Sequence, residues 1–166
     1  MTQVTLPSRS RTQLTSWMRC LLCFVGGYNI LAGIGMMVFY HEGFRFLDVP
    51  KPELMLPLQL VGVMVGLFGV GYWMVAWNPV ENRNVLTLGF FSKFLGSILG
   101  IAYVAVGKLP LLFLPILFFA DIVYLVPFLV IMHHLYSLAR ECRQRVRERL
   151  EGTQIPARAV GAGPAR

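Results

Sequence analysis

The sequence predicts an all-α protein that crosses a membrane as an up-and-down bundle of four helices. Of its 166 residues, 56% are hydrophobic and 14% are charged, whereas a soluble globular domain carries about a quarter of charged residues. The apolar residues fall into four blocks of roughly twenty residues, which is the length that spans a bilayer. Short polar links separate these blocks and favour antiparallel helical hairpins.

The four predicted helices cover residues 17–40, 53–77, 85–106 and 111–135. Trp17 begins the first helix as an interfacial anchor. Pro50 prevents a helix from continuing through the polar loop at residues 41–51. Asn78-Pro79 ends the second helix, and Gly107–Pro110 links the last two. An interfacial aromatic belt is predicted at the end of the second helix, at Tyr72, Trp73 and Trp77.

Three segments flank this domain. Residues 1–16 are polar and are predicted to form a disordered or interfacial tail. The arginine-rich residues 138–151 are predicted to form a short basic helix at the membrane surface. Residues 152–166, rich in glycine, alanine and proline, are predicted to be a disordered tail. The first apolar block is too long for a cleavable signal peptide, so we expect it to be retained.

The basic residues predict the orientation of the chain. Eleven arginines flank one side of the predicted bundle, and three basic residues flank the other side. Cytoplasmic loops carry the excess of Lys and Arg, so both termini are predicted to be cytoplasmic. The same charges favour contact with anionic lipid headgroups. They do not indicate a nucleic-acid partner, because no aromatic side chains are interleaved with them.

Two ionisable residues lie inside apolar blocks, Lys93 in the third and Asp121 in the fourth. Such groups are expensive at membrane depth and usually face the interior of a bundle, where they find a partner. At about 1.5 Å of helical rise per residue, Lys93, Asp121 and Asn29 lie near one layer of the bilayer. The sequence therefore predicts a buried polar site of Lys93 and Asp121, with Asn29 as a hydrogen-bond partner. Tyr124 shares the helix face of Asp121.

Three interpretations of this pair are open. It can be a polar site for a ligand, an ion or a proton, or a structural ion pair that sets the register of the helices. Alternatively, Lys93 extends to the interface and leaves Asp121 protonated.

Glycines recur at helical spacing within the blocks. Two small-xxx-small patterns, which let helix backbones approach closely, are predicted to serve helix packing: Gly62 with Gly66, and Gly96 with Gly100.

Cys20 and Cys23 form a CxxC pattern, which in a redox protein provides a dithiol pair. Both lie at the predicted cytoplasmic end of the first helix, in a reducing compartment. The adjacent His133 and His134 point about 100° apart on a helix and do not converge on a metal. No metal site, cofactor or catalytic residue is indicated, because none of the common nucleotide-binding or hydrolase motifs is present.

The chain also carries a set of residues that resembles a group of bacterial proteins. They are Gly71-Tyr72, Ala76-Trp77-Asn78-Pro79, Arg83, Gly89, Lys93 and Asp121-Ile-Val-Tyr124-Leu-Val-Pro127-Phe128. Over residues 17–135 the sequence resembles small uncharacterised four-helix membrane proteins near the DoxX-like group. The resemblance implies a compact bundle in the bacterial cytoplasmic (inner) membrane, with a recurrent lysine and aspartate at Lys93 and Asp121. It also implies an association with oxidoreductase partners.

These observations predict a non-enzymatic membrane protein with a Lys93/Asp121 site, which binds a small lipophilic molecule or is an accessory subunit of a membrane complex. One alternative is a quinone- or thiol-linked redox component that uses Cys20 and Cys23. Another is a small proton-coupled transporter that uses Asp121. The expected partners are the lipid bilayer and either a membrane protein or a second copy of the chain.

Overall fold

The computed structural model describes residues 14–159, and the side chains of residues 14–148, 150 and 151. All regular elements within this range are helical. In chain order they are α1 (Ser16–Val38), α2 (Tyr40–Leu47), α3 (Leu56–Trp77), α4 (Arg83–Ala105), α5 (Phe113–Leu117), a π-helical turn (Phe118–Ile122) and α6 (Val123–Ala159).

Four helical stretches in the described range are long and apolar enough to cross a membrane, which confirms the all-α, multi-pass fold class. They are α1, α3, α4 and the continuous stretch of α5, the π-helical turn and α6. Large apolar side chains remain exposed along all four, such as Leu31 at 71%, Leu67 at 59% and Val126 at 69%. A soluble protein rarely exposes so much contiguous apolar surface. The protein is therefore an integral membrane protein whose outer surface contacts lipid.

The core lies towards the end of the bundle where α1 begins and α3 ends. Its most deeply buried large side chains come from all four spans, and they are Leu22, Tyr72, Leu86, Phe128, Ile131 and Leu135. Leu14, which precedes α1, is 6% exposed and belongs to the same cluster. The predicted polar tail therefore contributes one apolar side chain to the core, while its residues 1–13 lie outside the described range.

α1 and α3 approach each other at glycines, because a glycine leaves no side chain between two backbones. A Cβ atom added to Gly33 would clash with the carbonyl oxygen of Gly62 and lie 2.8 Å from Gly66 N. Two turns away, a Cβ atom added to Gly26 would lie 2.8 Å from the carbonyl oxygen of Gly69. A Cβ atom on Gly66 itself would meet none of the described residues within 4 Å. The α3 glycines in close backbone contact with α1 are thus Gly62 and Gly69, seven residues apart.

Where a polar loop was predicted at residues 41–51, the structure has the short helix α2. Tyr40, Phe44 and Leu47 recur at helical spacing along it. They line one wall of an apolar cavity of about 580 Å³, whose other walls come from α1, α3 and α5. Asp48 ends the helix in the left-handed conformation at φ 51°, which a short polar side chain tolerates. The expectation of a loop was wrong because it overlooked this apolar stripe.

The basic segment at residues 138–151 is not a separate helix, since α6 runs without interruption from Val123 to Ala159. The predicted disordered tail is helical up to Ala159, and residues 160–166 lie outside the described range. Propagating a formed helix adds one hydrogen bond per residue without a new nucleation cost. Pairs at i,i+4 also support this part of α6, with Arg147 lying 2.8 Å from Glu151.

Candidate functional site: a buried lysine and aspartate

Lys93 on α4 and Asp121 in the π-helical turn form a salt bridge inside the bundle. Lys93 Nζ lies 2.7 Å from Asp121 Oδ1, and the two side chains are 8% and 27% exposed. The predicted pairing of these residues is confirmed. Because the ammonium is turned towards Asp121, the interpretation in which Lys93 extends to the interface is excluded.

The π-helical turn supplies a second acceptor for the ammonium. Lys93 Nζ donates to the main-chain oxygen of Ala120 at 2.8 Å. In a π-helix the backbone bonds run from residue i to i+5, and the N–H of Val123 accordingly bonds the oxygen of Phe118. This local change of register lies at the residues that present both acceptors to Lys93. Single π-helical turns within α-helices are frequent at functional sites.

Tyr124 completes the surroundings of the ammonium. Its ring centroid lies 5.5 Å from Lys93 Nζ, within the range of a cation–π interaction. Lys93 therefore contacts a carboxylate, a carbonyl oxygen and an aromatic face. These three partners offset the cost of burying a charge that has lost its water.

The second carboxylate oxygen of Asp121 is different. Among the described residues, no side chain or backbone group donates a hydrogen bond to Oδ2. A Cβ atom added to Gly96 would lie 4.0 Å from this oxygen, so Gly96 leaves the space beside it open. The Lys93 ammonium thus has hydrogen-bond partners, whereas only one of the two oxygens of the partly exposed Asp121 carboxylate has one.

Asn29 is 4% exposed on α1, but it does not join the pair. Within residues 14–159, the side-chain hydrogen bonds of Lys93 go to Ala120 and Asp121, not to Asn29. Asn29 lies one turn from Gly26 and one turn from Gly33, on the face of α1 that approaches α3. Equal depth in the bilayer did not imply contact, because the glycine approach turns this face towards α3.

An aromatic cluster, which consists of Tyr28, Tyr72, Tyr124 and Phe128, lies beside the salt bridge. The ring centroids of Tyr72 and Phe128 are 5.0 Å apart, and those of Tyr28 and Tyr124 are 6.4 Å apart. Sequence reasoning missed Tyr28 and assigned Tyr72 to an interfacial belt. Tyr72 is instead 1% exposed. A signal was present, because Gly89 on α4 makes room for the Tyr72 side chain, and a Cβ atom there would clash with the phenol.

Trp73 also differs from the prediction of an interfacial belt. Its indole N–H donates to the main-chain oxygen of Cys23 at 2.9 Å, so this residue joins α3 to α1. Trp77, at 69% exposed, has the exposure expected of an interfacial side chain.

The other predicted packing glycines differ from one another. A Cβ atom on Gly100 would lie 2.8 Å from Leu117 Cδ2, so Gly100 allows α5 to pack closely on α4. Among the described residues, a Cβ atom on Gly96 would have only the Asp121 carboxylate within 4 Å. Gly96 thus lies at the polar site, and Gly100 serves helix packing.

Cys20 and Cys23 are free thiols and both are exposed on α1, while Cys142, the third cysteine of the sequence, lies on α6. In the stretch from residue 14 to residue 159, no three His, Cys, Asp or Glu side chains are arranged to hold a metal ion.

Comparison with known proteins gives no relative: no family model matches the chain, and no curated protein or solved structure is significantly similar to it. The resemblance to the DoxX-like proteins therefore has no support from these comparisons. What the fold and the site establish is an integral multi-pass membrane protein with a buried Lys93–Asp121 salt bridge.

Proposed function

We propose that this protein is a non-enzymatic membrane protein that binds a lipophilic small molecule at Asp121, through a hydrogen-bond donor on the ligand. The observation that carries the proposal is Asp121 Oδ2, which lies beside Gly96 on a side chain that is 27% exposed and receives no hydrogen bond from the described residues. Its fellow oxygen is already engaged by Lys93.

The chemistry of the site favours a donor rather than an acceptor. The ammonium of Lys93 has two oxygen partners and an aromatic face, whereas the carboxylate has one oxygen without a donor. In a medium of low dielectric constant, hydrogen bonds to a charged acceptor are strong. A hydroxyl, amide or amine on the ligand would supply such a bond.

The aromatic cluster favours an apolar ligand body. Tyr124 contacts both the ammonium and, through Phe128, the buried ring of Tyr72. Binding sites of this kind combine apolar and aromatic walls with a few polar groups that orient the ligand. Tyr28 and Tyr124 are half-buried and offer ring surface, whereas Tyr72 and Phe128 are buried and only support them. We infer a ligand drawn from the lipid phase, held by one polar contact and by the rings of Tyr28 and Tyr124.

The proposal includes the setting of the site. The arginine excess on one side favours an orientation with both termini in the cytoplasm. A bacterial cytoplasmic membrane is the location that the resemblance implies. A protein of this size that holds a lipophilic molecule can present it to a larger membrane partner, which is the accessory role that the sequence suggests.

The test compares the molecules that co-purify with the wild type and with Lys93→Met/Asp121→Leu. This double variant replaces the pair by apolar groups of similar volume, a change that buried ion pairs often tolerate. Ser97→Ala is the matched control, since its hydroxyl donates to the main-chain oxygen of Lys93 and, among the described residues, bonds neither side chain of the pair. Each protein is extracted from its native membrane in mild detergent, and bound compounds are identified by liquid chromatography and mass spectrometry.

We expect the wild type and Ser97→Ala to retain a compound with a hydroxyl, amide or amine. The double variant should retain at least about tenfold less of it, because one strong hydrogen bond is lost. Equal retention by the double variant contradicts the proposal, as does a wild-type protein that carries no such compound.

Movement of protons through Asp121 is a second candidate. The greater exposure of Asp121 than of Lys93, 27% against 8%, favours it. It predicts proton flux into vesicles that contain the purified protein, measured with an enclosed pH-sensitive dye and abolished in Asp121→Asn.

A further inference from the structure

A second polar feature lies far from the Lys93–Asp121 site, between the start of α4 and the middle of α6. It is an open groove with a volume of about 420 Å³. We call it the arginine groove, and the residues that line it include Arg83, Tyr136, Arg140, Arg143, Gln144 and Arg147. The α6 members recur at three- and four-residue intervals and so share one helix face.

Arg83 is the one arginine of the groove that comes from α4. Its Nη1 donates to the carbonyl oxygen of Val80 at 2.6 Å, and its guanidinium lies 5.8 Å from the centroid of the Tyr136 ring. Its Nε is buried, and within the described part of the chain it has no hydrogen-bond partner. A buried donor without a partner is costly, so a rotation of the guanidinium that brings Nε to an acceptor in the groove would be favourable.

The charge of the groove is unbalanced. Four arginines line it, and no Asp or Glu among the described side chains does so. Arg147 lies 2.8 Å from Glu151, an exposed pair that leaves the other three arginines of the groove uncompensated. Glu141 is directed to Arg145, which is not part of the groove. Guanidinium groups match the geometry of phosphate oxygens, and a cluster of them recognises phosphate.

The groove lies at the edge of the membrane. α4 has 23 residues and begins at Arg83, so its length of roughly 34 Å spans the hydrocarbon core and leaves Arg83 at one boundary. Tyr136 bonds the Thr87 hydroxyl at 3.1 Å and Asn84 Oδ1 at 3.4 Å, which places it at the same level. Arg140 and Arg143 follow Tyr136 on α6 and lie beyond this boundary, where lipid phosphates are found.

Apolar surface leads from the groove into the membrane. Leu129, seven residues before Tyr136 on the same face of α6, is 45% exposed. Phe94, three turns after Arg83 on α4, is 43% exposed. A molecule whose phosphate lies among the arginines can therefore place acyl chains against the protein. A free phosphate ion would use only the arginines and not the apolar surface.

We infer that the arginine groove is a binding site for the phosphate group of one anionic membrane lipid. This site is independent of the ligand proposed for Asp121, since the two share no residue. Its position would hold the start of α4 and the basic part of α6 together through the bound headgroup.

The experiment uses the full chain in detergent micelles, titrated with dioleoylphosphatidylglycerol and followed by native mass spectrometry. The variant Arg140→Gln/Arg143→Gln removes two groove arginines. Arg143→Gln removes one groove arginine alone, and Arg145→Gln is its matched control, because it also removes one charge from the same stretch of α6 but off the groove. Arg83→Gln tests the contribution of α4. Dioleoylphosphatidylcholine, which has the same chains and no net charge, is the second lipid.

We expect one equivalent of phosphatidylglycerol to bind saturably and more tightly than phosphatidylcholine. Affinity should fall about tenfold or more in Arg140→Gln/Arg143→Gln, fall measurably in Arg83→Gln, and change less than about twofold in Arg145→Gln. Weakening by Arg145→Gln equal to that by Arg143→Gln would show diffuse attraction and overturn the inference. So would equal affinity for the two lipids. Displacement of the lipid by an equimolar amount of inorganic phosphate would assign the groove to a soluble ion and overturn the lipid assignment.

Discussion

Lys93 and Asp121, 28 residues apart in the chain, meet at 2.7 Å across the interface between α4 and the π-helical turn. The lysine is the more deeply buried partner, at 8% against 27%. Removing one member of such a pair leaves a charge without its counter-ion, which costs more than removing both.

From this relationship we expect Asp121→Leu alone to lower the free energy of unfolding by about 3 kcal/mol, and Lys93→Met alone by somewhat less. The double variant should cost less than Asp121→Leu, because no unpaired charge remains. Unfolding in mixed micelles, followed by circular dichroism, measures all three. Costs that simply add in the double variant would show that the two residues are not coupled.

The close approach of α1 and α3 makes Gly33 sensitive to the smallest side chain. Gly33→Ala places a Cβ atom against the backbone of Gly62 and Gly66, and backbone cannot yield as a flexible side chain does. We expect a loss of about 1–3 kcal/mol. Gly66→Ala is the control: its Cβ would meet none of the described residues within 4 Å, and alanine favours the helix by up to about 1 kcal/mol. In the same unfolding assay, Gly33→Ala should therefore be less stable than the wild type and Gly66→Ala at least as stable.

At Gly100 the obstacle is a side chain, so a compensating change is available. A Cβ atom there would lie 2.8 Å from Leu117 Cδ2. We expect Gly100→Ala to cost about 1–2 kcal/mol through overpacking. Leu117→Val shortens the side chain and should recover part of that cost in the double variant. A Leu117→Val substitution that worsens Gly100→Ala would argue against this contact.

Trp73 and Trp77 lie one turn apart on α3 and provide a matched pair. Trp73→Phe removes the hydrogen bond to the Cys23 oxygen, which measures 2.9 Å. Such bonds between membrane helices contribute about 0.6 kcal/mol on average. Trp77 is 69% exposed, so Trp77→Phe should be close to neutral in detergent. Thermal unfolding of the two variants tests this difference, and a larger loss in Trp77→Phe would contradict it.

Local properties of the sequence were sufficient for the membrane class and the helical spans. An apolar run of bilayer length can satisfy its backbone hydrogen bonds only as a helix. Pro50 and Asn78-Pro79 mark where the chain turns. α2 was missed because a helix of eight residues, about two turns, gives a weak periodic signal with Phe44 and Leu47 among polar residues. The continuation of α6 to Ala159 was missed because composition does not reveal how far a formed helix propagates.

By itself, the sequence determined the membrane class and predicted that Lys93 and Asp121 pair, because a charge inside a bilayer has few other partners. Only the tertiary structure decided the rest of the site. The glycine contacts of α1 with α3 turned Asn29 away from the pair, and packing among the rings placed Tyr72 in the core. The π-helical turn offered the Ala120 oxygen and left Asp121 Oδ2 beside Gly96. These features depend on which helix faces meet, and helix faces are set by packing between distant segments rather than by any local pattern.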